Sequence, residues 1–99
     1  MNITFKQWNC TLRVDQYSNG RPCLRLFDRK NHSPVAVATV NIPDADVPDG
    51  CVTVKDYSEN EGMLDALIAA DIVGQPVGEI SSGFVRIPVC PLLIDLNRI

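Results

Sequence analysis

Apolar residues alternate with polar ones over residues 8–14, with Trp8, Cys10, Leu12 and Val14 on one side and Asn9, Thr11 and Arg13 on the other. That period of two predicts a half-buried strand. Ile3 and Phe5 have the opposite parity, which predicts a bulge or break near Lys6-Gln7. Ser18-Asn19-Gly20 is a hairpin turn signal, and the strand after it, Arg21 to Arg29, puts Leu24 and Leu26 on one face. Parity chooses the loop length. A two-residue loop would set Val14 against Arg25. A three-residue loop ending in a left-handed Gly20 pairs Leu12 with Leu26 and Val14 with Leu24, so core meets core. It also sets Cys10 against Asp28 and Cys23 against Asp15, which argues against a disulfide between those cysteines.

After a turn at Asn31-His-Ser-Pro34, the stretch from Val35 to Ile42 is apolar on both faces and predicts a central strand, its small alanines leaving room for a helix above it. Residues 43–50 are rich in breakers, and Cys51 to Asp56 reads as a short strand. The helical period lies over residues 58–70. Leu64, Leu67, Ile68 and Ile72 fall at i, i+3, i+4 and i+8, with Met63 and Ala70 widening the stripe. Ser58 and Glu61 have capping-box spacing, and Glu59 and Glu61 suit the positive end of the helix dipole. Asp71 in left-handed conformation, with Ile72 folding back, would close the helix. Gly74 to Gly78 is a loop and Ser81-Ser-Gly83 a turn. Val85, Ile87 and Val89 point inward from the strand Phe84 to Val89, which Pro88 places at a sheet edge. The tail from Leu92 to Leu96 reads as a short last strand or a cover. These elements predict an α+β fold: one domain over residues 1–99, an antiparallel sheet of five to six strands, and a single helix on one face.

Composition changes this picture little. Hydrophobic content of 45% with 21% charge is that of a soluble globular domain. The net charge of −3 is unevenly spread: residues 1–30 carry six cations against two acids, leaving −7 on residues 31–99. There is no apolar run long enough for a membrane span and no signal-peptide pattern at the N-terminus, so a cytoplasmic protein is expected. Four scattered cysteines without a C-x-x-C pair read as buried apolar residues rather than as zinc ligands.

Catalytic signals are weak. His32 stands alone in a turn, and a general base needs a nucleophile and an orienting group nearby. Asp44, Asp46 and Asp49 have the wrong spacing for a calcium loop, and Lys55 falls where its glutamate should stand. Ser81-Ser-Gly83 lacks the flanking glycine of a nucleophile elbow, and no Gly-Lys-Ser/Thr follows the glycines at 74, 78 and 83. No cofactor, no metal site and no enzymatic activity are expected. What remains is a basic face: Arg21, Arg25 and Arg29 share one side of a strand with Phe27, Arg13 stands on the neighbouring strand, and Phe84 and Arg86 extend the patch. Arginine stems also shield apolar surface without any partner. As a functional feature the face suits an acidic protein, and less well a nucleic acid, because three or four phosphate contacts are few. The acidic helix face, Glu59, Glu61 and Asp65, is a second candidate surface. A small-molecule site and an edge-strand dimer complete the alternatives.

The phrase Lys55-Asp-Tyr-Ser-Glu-Asn-Glu-Gly-Met-Leu64, then Ala66-Leu-Ile-Ala-Ala70 and Ser82-Gly-Phe-Val-Arg-Ile-Pro-Val-Cys-Pro-Leu92, resembles a group of small proteins carried by bacterial phages, plasmids and conjugative elements. The resemblance covers residues 40–92 and brings no catalytic residues. In that group a glycine is common where this chain has Asp71. It implies a mobile-element protein working in a bacterial host. The expected partner is a host protein or ribonucleoprotein complex, with the chain acting as an inhibitor of a CRISPR- or restriction-type defence.

Overall fold

The computed structural model describes residues 1–95. Its first sheet is built on the hairpin of β2 (Trp8–Gln16) and β3 (Pro22–Asp28), in the register that parity demands: Leu12 opposite Leu26, Val14 opposite Leu24, Cys10 opposite Asp28 and Asp15 opposite Cys23. The Tyr17 N–H donates to the Arg21 carbonyl at 2.8 Å, which closes the three-residue loop, and Gly20 takes the left-handed φ of 85° that this loop needs. The break at Lys6-Gln7 is a tight turn. It folds β1 (Asn2–Phe5) antiparallel onto β2, pairing Phe5 with Trp8 and Ile3 with Cys10. The reversal is why the parity changes while Ile3, Phe5 and Cys10 all remain buried.

The stretch from Val35 to Ile42 is not a central strand. Only β4 (Pro34–Val37) is extended, at the edge of a four-stranded sheet ordered β1-β2-β3-β4. Beyond it the chain crosses to a second sheet. Ala38 donates its N–H to Leu24 of β3 at 2.8 Å, but its carbonyl accepts from Lys55 at 2.9 Å, and Val40 donates to Thr53. Ala38, fully buried, is apolar because it spans the junction between the two sheets. Where the strand peels away, the Leu24 N–H loses its ladder acceptor. The Thr39 hydroxyl replaces that acceptor at 3.2 Å and also bonds the Tyr17 hydroxyl at 2.9 Å.

The second sheet holds β5 (Cys51–Thr53), β7 (Val85–Pro91) and β6 (Gly78–Ser82), in the order β5-β7-β6. The α+β class with antiparallel strands is therefore right, but the strands form two sheets of four and three rather than one of five to six. Pro88 lies in the middle strand, not at an edge. The Val54 N–H donates to its carbonyl at 3.0 Å, and β5 ends one residue earlier, so the missing N–H falls where pairing is already stopping. Val85 is half-buried on this strand, and Ile87 and Val89 are buried. The tail bridges Leu92 to Val73, and Leu93 donates to Ile72 at 2.9 Å; Leu96 lies outside the described residues.

The helix is shorter than its periodic stripe. A 3-10 turn, Ser58–Asn60, comes first, and α1 spans Met63–Ala69 after Gly62, which takes a φ of 96°. The Ser58–Glu61 capping box does not form, because Ser58 itself has a positive φ and opens the 3-10 turn. Tertiary structure favours this arrangement: Asn60 is buried by the turn and donates its side-chain N–H to the Val37 carbonyl at 2.6 Å. The Asp56 carboxylate caps the helix instead, accepting from the N–H groups of Gly62 (3.1 Å) and Leu64 (2.9 Å). Asp56→Ala should accordingly lower stability by about 1–2 kcal/mol in urea denaturation, while Ser58→Ala should leave the midpoint almost unmoved. A large loss from Ser58→Ala would restore the capping box.

The C-terminal end follows the sequence reading. Asp71 has a φ of 57°, its N–H donates to Ile68, and Ile72 donates to Leu67 at 3.0 Å, with both Leu67 and Ile72 fully buried. This is a Schellman motif closed by its apolar contact. Glycine holds a left-handed φ at lower cost, and aspartate sits at the unfavourable negative end of the dipole. Asp71→Gly should therefore raise stability by up to about 1 kcal/mol, read as a higher melting temperature. The helix packs against β1, and Ala38 shares its core. Met63 and Leu67 join Ile3, Phe5, Leu24, Leu26 and Val54 in one core. Cys10, Cys23 and Cys90 are buried free thiols and Cys51 is half-buried; burial pushes the Cys90 thiol up to about 11. No described helix is long and apolar enough to cross a membrane.

Candidate binding surface

The register that buries Leu12, Leu24 and Leu26 sends Thr11, Arg13 and Asp15 of β2 and Arg25 and Phe27 of β3 to the opposite face. Arg13 and Arg25 are direct cross-strand partners there, and both are exposed. Like charges placed so oppose strand pairing. Two contacts moderate the repulsion. The Arg13 guanidinium lies 4.6 Å from the centre of the Phe27 ring, and Arg25 Nε meets the Asp15 carboxylate at 3.1 Å with both side chains about half exposed, at 48% and 47%. Thr11, Arg13, Phe27 and His32, with the β2 chain at Leu12 and Val14, line an open hollow of about 420 Å3. His32 reaches it from a residue with a φ of 62° whose N–H donates to the Asp28 carbonyl. His32 looked isolated in the sequence because only the β3–β4 turn carries it to Arg13 and Phe27.

The remaining arginines do not continue the row. Arg21 is half-buried and donates from its two terminal nitrogens to the carbonyls of Ile42 (2.8 Å) and Ala45 (2.7 Å). It clamps the loop after residue 42. Arg29 lies past the end of β3 and lines a separate cleft with Ala66, Ala69 and Ala70, near the end of α1. Phe84 stands in the turn between β6 and β7, fully exposed, and Arg86 pairs with Glu79 at 3.3 Å across that hairpin. These two belong to the three-stranded sheet, not to the one that bears Arg13 and Arg25.

The acidic surface is divided as well. Glu59 lies in the 3-10 turn, hydrogen-bonded to Lys55, whose ammonium holds the Glu59 carboxyl below its usual range. Lys6 donates to the Glu59 carbonyl. Glu61 and Asp65 remain exposed. Every buried side-chain nitrogen and oxygen among the described residues has a hydrogen-bond partner. No group of three His, Cys, Asp or Glu side chains converges among those residues. The Tyr17 hydroxyl, raised to about 12 by burial, is bound to Thr39 and holds the sheet junction. Neither a protein-family model, nor a curated protein, nor a solved structure matches this chain.

Proposed function

We propose that this protein is a non-enzymatic binding protein that docks an acidic surface of a partner protein on Arg13, Arg25 and Phe27. The observation that carries the reading is the direct opposition of Arg13 and Arg25 on the solvent face. Folding gains nothing from that pair, and a contact surface does: two guanidinium groups flanking an aromatic ring suit carboxylates set in a partly apolar surface. The resemblance to mobile-element proteins supports a host defence complex of CRISPR or restriction type as the partner class and inhibition by occupancy as the mechanism. Nucleic acid is the weaker reading, since Asp15 interrupts the face and Arg21 is committed to its loop. The bacterial cytoplasm is the compartment this function requires.

The test is co-purification of a tagged copy from its bacterial host at moderate salt, followed by affinity measurement with the protein recovered. Arg25→Glu should weaken that complex roughly tenfold or more, and the melting temperature should stay within the small change expected for an exposed ion pair. Full affinity in both Arg25→Glu and Arg13→Glu would remove the proposal. Recovery of nucleic acid alone, lost with nuclease or steeply with salt, would replace it with the nucleic-acid reading.

A further inference from the structure

We propose that β6 is the contact strand of a homodimer, in which two copies pair antiparallel, edge to edge, about a two-fold axis at Ile80. The other sheet edges are guarded. β4 is short, opens with Pro34 and has its Val37 carbonyl taken by Asn60; β5 is flanked by residues 38–40; β1 is only four residues long and lies beside the helix. β6 has no proline and no lysine, and its one charge, Glu79, is paired with Arg86 on its own hairpin. Nothing among the described residues pairs with its outer edge. Such an edge is a template for another strand.

Backbone alternation sets the register. Pro88 turns its carbonyl to Val54 on β5, so at the Glu79–Pro88 pair neither residue bonds the other, and Glu79 directs its N–H and C=O outward. Ser81, two residues on, does the same. Two copies centred on Ile80 then set Glu79 against the partner's Ser81 and Ser81 against the partner's Glu79, which completes four backbone hydrogen bonds. Ile80 meets the partner's Ile80 in the close, non-hydrogen-bonded position. The register also disposes of two exposed apolar side chains. Val77 is 66% exposed at one end of β6, and Phe84 is fully exposed beyond the other. An antiparallel partner reverses the ends, so the turn that carries Phe84 in each copy comes to the end of β6 where Val77 of the other lies. A shift of two residues one way would put Glu79 directly against the partner's Glu79, a repulsive pair. A shift the other way sets Ser81 against the partner's Ser81 and leaves Glu79 opposite Gly83, beyond the end of β6, so two of the four hydrogen bonds are lost.

Sedimentation velocity of the full chain over a wide concentration range tests this. The wild type should dimerise reversibly. Ser81→Pro removes an outward N–H and spares the β6–β7 ladder. Two hydrogen bonds are lost per dimer, so the dissociation constant should rise roughly tenfold or more. Phe84→Ser alters a side chain that is fully exposed in the monomer and should also weaken the dimer without moving the melting temperature. A wild type that stays monomeric at the highest concentration overturns the proposal. So does a dimer whose affinity survives Phe84→Ser and Ser81→Pro; if Ser81→Pro fails to fold, Phe84→Ser decides alone.

Discussion

Replacing Leu67 with aspartate is expected to abolish folding, seen as a circular dichroism spectrum without helix or sheet and a melt without a transition. Leu67 is fully buried, and its carbonyl receives the Ile72 N–H that closes the helix. Burying a leucine contributes about 1.5–3 kcal/mol, and a carboxylate in its place would be desolvated with no cation in the surrounding cluster of Ile3, Phe5, Met63 and Ile72. An unpaired buried charge costs several kcal/mol more, and a domain of this size commands about 5–15 kcal/mol in all. The single helix is also the only one among the described residues that covers the four-stranded sheet, so its loss exposes Ile3 and Phe5 as well. A soluble Leu67→Asp protein with a cooperative melt would show that the sheets hold together without the helix.

Thr39→Val is the second large effect, about 2–4 kcal/mol of lost stability from two deserted hydrogen bonds. The substitution keeps the shape but leaves the buried Leu24 N–H without an acceptor and takes the Thr39 hydroxyl from the Tyr17 hydroxyl. The urea midpoint should fall with little change in slope, and the Leu24 amide should exchange faster with solvent. The wild type carries a linked pH signature. Burial raises the Tyr17 hydroxyl from 10.0 to about 12, so the folded state holds its proton more tightly than the unfolded chain. The stability is fully present below pH 10 and declines as pH rises through 10 to 12. A flat profile across that window would mean that the tyrosine is not held at the junction.

These two sites mark how far the chain could be read without its tertiary structure. Leu67 belongs to a periodic stripe, and its burial follows from spacing alone. Thr39 gave no signal, because its importance comes from the place where residues 38–40 leave one sheet for the other. Residues 35–42 are apolar on both faces, and a central strand and a crossing between sheets produce that same pattern. The candidate surface divides similarly. The opposition of Arg13 and Arg25 is implied by the loop register, whereas Arg21 left the row because the loop after residue 42 happened to supply two carbonyls within its reach.

Where one short-range rule acts on neighbouring residues, the sequence by itself determined the outcome. Parity and the left-handed Gly20 set the β2–β3 register, and the Asp71–Ile72 turn set the end of the helix. Only the tertiary structure decided where the helix begins, since Asn60 reaches the Val37 carbonyl and the Asp56 carboxylate, not Ser58, takes the N–H groups of Gly62 and Leu64. It also decided that Pro88 belongs in a middle strand and that two sheets form in place of one. Those outcomes depend on groups well separated along the chain, such as Asn60 and Val37 or Val54 and Pro88, finding partners. Local propensities, worth a few tenths of a kcal/mol to about 1 kcal/mol per residue, yield when a buried N–H or C=O would otherwise go unpaired.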